Sequence, residues 1–352
     1  MKRIGHLFEQ IISIENLKLA DENARKGKRN TYGVRVHDEN MEANILALHE
    51  ALKNHTFTTS KYETFTIFEP KERLIFRLPY YPDRIVHHAV MNVLKPIWTS
   101  IFISSTYSCI EGRGIGACRK KVQQRIRNHK GKALYCLKFD IRKFYPSIDH
   151  DVMKRIVRKK IKDPDLLWLL DNIIDSAEGL PIGNYLSQFL ANLVLSYLDH
   201  VIKEEWRVKD YDRYADDGVI LGETKEELHA LQKKIAEYLH RELKLEMKGN
   251  WQVFKVAKDH RDKSGRGLDF VGFVFYMNET RIRKQIKVNF CRACAKARRH
   301  PELTDREYKM RIASWLGWAK YSDSDRLTAK ILRPSVNEKV KLQRETARLR
   351  AA

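Results

Sequence analysis

The amino-acid sequence predicts an α+β fold, a split β-sheet with helices packed on one face. Three stretches carry that expectation. Residues 133–141, ALYCLKFDI, are almost continuously apolar, as expected of a strand buried on both faces. Residues 210–223, DYDRYADDGVILGE, read as strand, tight turn, strand, with Ala215, Asp216 and Asp217 at the bend. Residues 268–276, LDFVGFVFY, read as one further strand. Apolar spacing between them predicts helices over about 149–161, 163–176, 185–206 and 224–243, the middle pair separated by a loop, EGLPIGN.

Upstream, the first sixty residues predict two helices, about 6–20 and 38–54, joined by a basic, turn-rich stretch, ARKGKRNTYG. Residues 62–79, YETFTIFEPKERLIFRLP, alternate apolar and polar residues on both sides of Glu69-Pro70-Lys71, which predicts a β-hairpin. A helix over about 82–95 should end before Pro96, because proline has no N–H to continue it. GRGIGACRKKVQQRIRNH opens with glycines and continues as a strongly basic helix. The expected division is an N-terminal helical extension (1–60) and a hairpin-bearing region (61–135). A sheet-bearing centre (136–280) follows, with segments of the second region interleaved at about 150–180, then a helical region (281–332) and a basic tail (333–352).

Charge narrows the function. The 352 residues carry 67 Lys+Arg against 45 Asp+Glu, a net charge of +22, which attracts polyanions. Residues 281–350 alone hold 20 Lys/Arg against 7 Asp/Glu, so more than half of the excess lies in the last fifth. That part reads as a separate basic helical region. Trp315, Trp318 and Tyr321 share one helical face there, as core packing or as part of a nucleic-acid surface, and the basic residues are the better nucleic-acid signal. The apolar stretch 186–198 is broken by Ser187, Gln188 and Asn192 and is too short to span a bilayer. With no apolar signal core in MKRIGHLFEQ, a cytoplasmic protein is expected. Of five cysteines, Cys291 and Cys294 form a lone CxxC, which cannot complete a tetrahedral zinc site and reads as two thiols on a basic helix.

Chemistry concentrates in three carboxylates. Phosphoryl transfer by two metal ions needs carboxylates that hold the ions about 3.5–4 Å apart. Asp140 ends a buried strand, and Asp216 and Asp217 sit in a turn between apolar strands, where a charged pair is costly unless something binds it. By itself the Asp216-Asp217 pair would be a surface turn. Tyr214-Ala215-Asp216-Asp217 together with Phe139-Asp140, and an aromatic five residues on at Tyr145, is more specific.

With those motifs the chain resembles bacterial and phage reverse transcriptases, most of all those of diversity-generating retroelements, over about residues 1–332. The resemblance implies a right-hand polymerase with fingers (61–135), palm (136–280) and a helical thumb (281–332). It implies RNA-directed DNA synthesis with two Mg²⁺ ions, or Mn²⁺, held by Asp140, Asp216, Asp217 and the backbone carbonyl of Ile141. Tyr145 falls at the family's steric gate against a 2′-hydroxyl. Arg73 matches the hairpin arginine that contacts the incoming triphosphate, suited to bidentate phosphate binding, or else a solvated charge. Lys71 and Arg77 are lesser candidates for the same task. Lys248 loosely matches a lysine that protonates pyrophosphate, and Gly272 matches the glycine of the primer grip. His87 and His88 lie on an apolar helix and read as packed or exposed, not catalytic.

The subgroup rests on residues 179–188, GLPIGNYLSQ, where most reverse transcriptases read Q-G-x-x-x-S-P. Ile182 stands for the glutamine, beside Gly183, and Gln188 for the proline. Isoleucine cannot hydrogen-bond around the incoming sugar, so discrimination between nucleotides should weaken, unless Ile182 merely packs. SWLGWAKYSDSDRL at 314–327 adds to the likeness. The resemblance implies miscopying of template adenines, a template RNA with its primer, dNTP substrates, a small basic oligomeric accessory protein and no membrane. A retron, phage-defence or group II intron enzyme is the alternative, and a non-catalytic RNA-binding scaffold is the reading from a different class.

Overall fold

The computed structural model describes residues 3–68, 72–129 and 131–349. In chain order it contains α1 (Phe8–Ile12), α2 (Ile14–Ala24), α3 (Tyr32–Glu39), α4 (Met41–Lys53), β1 (Glu63–Ile67), β2 (Arg73–Arg77), α5 (Ile85–Ile101) and β3 (Thr106–Tyr107). Then come α6 (Ile115–Asn128), β4 (Tyr135–Phe139), α7 (His150–Arg158), α8 (Pro164–Ile174), α9 (Tyr185–His200), β5 (Tyr211–Tyr214), β6 (Asp217–Gly222) and α10 (Lys225–Leu243). The chain ends with β7 (Gln252–Lys255), β8 (Leu268–Phe270), β9 (Phe273–Phe275), β10 (Thr280–Ile282), α11 (Lys284–Arg298), α12 (Asp305–Lys320), α13 (Asp325–Ile331) and α14 (Pro334–Leu349). The fold is α+β.

The chain divides into two compact units, Met1–Glu111 with Phe139–Gly218 and Leu231–Trp251, and Gly112–Lys138 with Val219–Ala230 and Gln252–Ala352. Strands β4 and β6 and helix α10 run from one into the other. A five-stranded sheet has the order β3-β5-β6-β4-β7. Within the first unit β3 pairs with β5 in parallel, Thr106 opposite Arg213. Within the second β4 pairs with β7 antiparallel, Leu137 opposite Val253.

In the first unit α9 is buried on nearly every face, which explains the long apolar stretch in its sequence. Helix α5 packs beside α2 through a ladder of asparagines. Asn16 donates to the Ala89 carbonyl (3.1 Å), Asn92 to Asn16 (3.0 Å) and Asn23 to Asn92 (3.1 Å). The hairpin forms as expected, Glu63 opposite Arg77 and Phe65 opposite Ile75, with both strands largely exposed.

Several boundaries differ from expectation. The first helix breaks at Ser13, whose hydroxyl accepts from the Asn16 N–H (3.2 Å) and caps α2. Where a turn was expected to continue, α3 begins at Tyr32. Helix α5 does not stop before Pro96 but runs on to Ile101. A mid-helix proline costs about 3 kcal/mol, and complete burial of Trp98 with near-complete burial of Ile101 outweighs it.

The second unit corrects the expected single strand over 268–276. It is a hairpin, β8 and β9, with Phe270 opposite Phe273 and a two-residue turn at Val271 (φ 44°) and Gly272 (φ 85°). Positive φ at both central residues matches the twist of paired strands, but valine is not a residue that announces such a turn. With β10 the hairpin makes its own three-stranded sheet. Helices α11 to α14 share a core that includes Phe290, Tyr308, Ile312 and Val336, with Trp315 and Trp318 packed against it. Trp318 also sits 5.2 Å from the Phe273 ring, while Tyr321 stays exposed. Cys291 and Cys294 lie on α11, and burial pushes the Cys294 thiol up to about 11. Among the described residues, no helix is long and apolar enough to cross a membrane.

Candidate active site

Local sequence places the acidic bend. Strand β5 ends at Tyr214, and Ala215 takes a left-handed conformation (φ 55°), costly for a residue with a side chain. Its carbonyl accepts from the Arg213 guanidinium at 2.7 Å. Arg213 is fully buried and also donates to Asn192 Oδ1 (3.1 Å) and, through Nε, to Asp199 Oδ1 (2.8 Å). Asp199, equally buried, accepts further hydrogen bonds from the hydroxyls of Tyr211 (2.7 Å) and Thr106 (2.9 Å). Both charges are thus neutralised and their hydrogen-bonding capacity is filled, the condition under which a buried ion pair is tolerated. Beyond the bend, Gly218 passes over the ring of Phe139, where a Cβ would lie 2.2 Å from the ring. That close approach sets the end of β4, and so Asp140, beside the bend.

The carboxyl groups of Asp140 and Asp216 come within hydrogen-bonding reach of each other. Burial first, then Asp140 and Asp217, push the Asp216 carboxyl up to about 7. Lys248 joins them. Its Nζ lies 3.3 Å from Asp140 Oδ2 and its backbone N–H donates to the Asp140 carbonyl at 2.9 Å. Arg142 N–H donates to the Glu246 carbonyl (2.9 Å), so the facing pair Ile141 and Met247 between these two bonds is the non-hydrogen-bonded kind. The Ile141 carbonyl is therefore not consumed by that pairing.

The residues present fit divalent cations. The donors are hard oxygens, and the Asp216 carboxyl is raised first by burial and then by the neighbouring carboxylates, Asp140 having Lys248 beside it. Asp217 acts on Asp216 through space, and no three His, Cys, Asp or Glu side chains among the described residues form a ready ligand cluster.

Tyr145 begins a short 3₁₀ turn, and its carbonyl accepts from Leu180 N–H at 2.8 Å. Its hydroxyl is pushed upward chiefly by burial, and it also feels Asp216 and Arg73. Gly179 (φ 61°) makes this docking possible, since a Cβ there would lie 2.5 Å from the Pro146 carbonyl oxygen. Ile182, half-buried, accepts from Phe76 N–H through its carbonyl (2.8 Å), tying the 178–184 loop to β2. A Cβ on Gly183 (φ 126°) would come within 2.4 Å of the Phe76 carbonyl oxygen. Gln188 is exposed on the first turn of α9 and lines a cavity with Gly183 and Phe76. Arg73 opens β2 and is exposed, and Arg77 pairs with Glu63 (3.3 Å). Lys71 lies outside the described residues.

Gly272 belongs to the second unit. A Cβ there would lie 2.4 Å from the Trp318 ring, so packing and the turn explain the glycine. His87 is buried, with Nε2 unpartnered among the described residues, and His88 stacks on Tyr185 at 4.6 Å. Sequence reasoning did not single out Arg213, Asp199, Asn192 or Gly218. An arginine inside an otherwise buried strand next to the acidic bend was the available signal for the first.

The chain is 23% identical over 214 residues to Protein YkfC of Escherichia coli (strain K12), covering 48% of this chain and 56% of that one. It is 22% identical over 238 residues to the group II intron-encoded protein LtrA of Lactococcus lactis subsp. cremoris, covering 64% and 37%. The chain therefore spans only about a third to a half of these relatives' lengths. Its structure is similar to that of apo telomerase from Candida tropicalis, with a TM-score of 0.47 and 12% identity over 62% of this chain and 48% of that chain. The family described as reverse transcriptase (RNA-dependent DNA polymerase) matches residues 69–260, more than half of the chain and all of the acidic site, and the chain belongs to that family.

Proposed function

We propose that the protein is an RNA-directed DNA polymerase that extends a primer on a template RNA by two-metal phosphoryl transfer. The observation that carries this reading is the pairing of the Asp140 and Asp216 carboxyls at the end of β4 and the β5–β6 bend. Asp140, Asp216, Asp217 and the Ile141 carbonyl would hold two Mg²⁺ or Mn²⁺ ions, which lower the pKa of the primer 3′-hydroxyl and neutralise the departing pyrophosphate. In that reading Arg73 binds the triphosphate of the dNTP and Tyr145 packs under its sugar, excluding a 2′-hydroxyl. Lys248, already at the carboxylates, delivers a proton to pyrophosphate. Residues 61–135 act as fingers, 136–280 as palm and 281–332 as thumb, with Gly272 near the primer.

For the subgroup we infer a diversity-generating retroelement enzyme, error-prone at template adenines and working with a small basic accessory protein. Ile182 and Gln188 support this, since an isoleucine side chain offers the sugar no hydrogen bond. The group II intron-encoded relative favours the second reading, an intron-type enzyme. Primer extension on a defined RNA with Mg²⁺, comparing the unmodified protein with Asp216→Asn, tests the activity. Equal extension by the variant rejects the mechanism. Sequencing the cDNA separates the subgroups, with errors concentrated at template adenines expected and a flat, low error profile rejecting the retroelement assignment.

A further inference from the structure

Two strands of the first unit run side by side into the site. β3 and β5 are parallel, with Tyr107 opposite Tyr214. Just beyond that pair both segments turn left-handed, at Ser108 (φ 81°) and Cys109 (φ 59°) and at Ala215 (φ 55°). Such backbone is disfavoured for residues with side chains, so each bend needs something to hold it. A single chain of hydrogen bonds holds both. Asn192 Nδ2 donates to the Ser108 carbonyl (3.1 Å), while Arg213 Nη1 donates to Asn192 Oδ1 (3.1 Å) and to the Ala215 carbonyl (2.7 Å). We propose that Asn192 is a positioning residue for nucleotide selection. It fixes the Ser108–Cys109 bend against the acidic bend, so that Cys109 and Tyr145 together flank the nucleotide being added. The proposal rests on the polymerase reading above, because it concerns the substrate of that same site.

Asn192 lies on α9 and is 3% exposed, so both ends of its amide have to be satisfied inside the protein, and they are. Chemistry fixes which way the amide faces, since a guanidinium only donates and a carbonyl only accepts. Aspartate has the same shape but turns an acceptor on the Ser108 carbonyl, and leucine makes neither bond. The strand leading to the bend is clamped by other groups. Arg213 N–H donates to the Ser105 carbonyl (3.0 Å), the Thr106 hydroxyl to Asp199 (2.9 Å) and the Tyr107 hydroxyl to Asp212 (3.3 Å). What Asn192 adds is therefore the position of the bend beyond Tyr107, not the presence of β3. At that bend Cys109 is exposed, with its thiol 3.4 Å from the Ser108 hydroxyl. Tyr145 feels both bends, since burial first, then Cys109 and Asp216, push its hydroxyl upward.

The test is single-nucleotide incorporation by the full chain on a defined primer–template, with the dNTP and the matching NTP each titrated. Asn192→Asp keeps the acceptor toward Arg213 and sets a second one against the Ser108 carbonyl, so it frees one bend and leaves the other held. The KM for dNTP should rise about tenfold with kcat lowered less than about threefold, and the preference for dNTP over NTP should fall. A merely structural role would leave fewer folded molecules, lowering kcat with KM and the preference unchanged, and that result overturns the proposal. Should Asn192→Asp not fold, Cys109→Ala, at an exposed position, gives the same reading. Its KM for dNTP should rise at least about threefold at an unchanged melting temperature, and an unchanged KM and preference overturn the proposal. The coupling is also read without synthesis, by alkylation of Cys109 with iodoacetamide followed by peptide mass spectrometry. Asn192→Asp should speed that reaction at least about threefold, and equal rates overturn the proposal. Absence of DNA synthesis by the unmodified protein refutes the proposed function instead, and the alkylation rates then decide the coupling.

Discussion

Replacing Asp216 with asparagine should stabilise the metal-free protein while abolishing DNA synthesis. The Asp216 carboxyl is raised from 3.8 to about 7 in the folded protein. A raised carboxyl favours folding fully only below its unfolded value, and that contribution is lost as pH rises through the folded value. About three units at 1.36 kcal/mol each come to ~4 kcal/mol, and solvent screening at this partly exposed position reduces this to about 2 kcal/mol. Asparagine keeps the shape without the charge. In EDTA the melting temperatures of variant and unmodified protein should therefore coincide near pH 4 and separate by about 4–8 °C at pH 8, the variant being higher. Added Mg²⁺ should raise the unmodified protein and leave the variant nearly unmoved, as expected of a ligand that binds only the folded state. Differential scanning fluorimetry over that pH range with and without Mg²⁺ measures both. Parallel pH profiles for the two proteins in EDTA would show that burial beside Asp140 and Asp217 does not raise this carboxyl.

Other expectations follow from the same geometry. Arg213→Met leaves Asp199 buried without its cation and should cost about 3–5 kcal/mol, read by denaturant unfolding. Arg213→Met with Asp199→Leu should recover much of that stability without recovering extension, because the Ala215 carbonyl remains unheld. Gly218→Ala drives a methyl into the Phe139 ring and should lower extension at least ~100-fold, with partial recovery when Phe139→Leu makes room. Tyr145→Ala should reduce the preference for dNTP over NTP about 10- to 100-fold in single-nucleotide incorporation. Gly272→Ala should destabilise the second unit by about 1–3 kcal/mol through contact with Trp318, seen as a lower melting temperature.

Much of this protein follows from its sequence alone. Near-continuous apolar runs mark strands and helices that bury every face, so β4 and α9 were legible, and alternation marked the β1–β2 hairpin. The acidic motif was equally legible, because carboxylates at a bend between apolar strands are costly and so stand out. Tertiary packing decided the rest. Helix α5 continues through Pro96 because Trp98 is buried beyond it, a gain invisible to local propensity. The β8–β9 turn forms at Val271 although its left-handed backbone suits glycine or asparagine, because the phenylalanines on both sides are buried. Arg213 and Asp199 are fourteen residues apart, and only the fold shows that they hold the bend. Local periodicity reports what a segment prefers, whereas a site depends on which distant groups share one low-dielectric space.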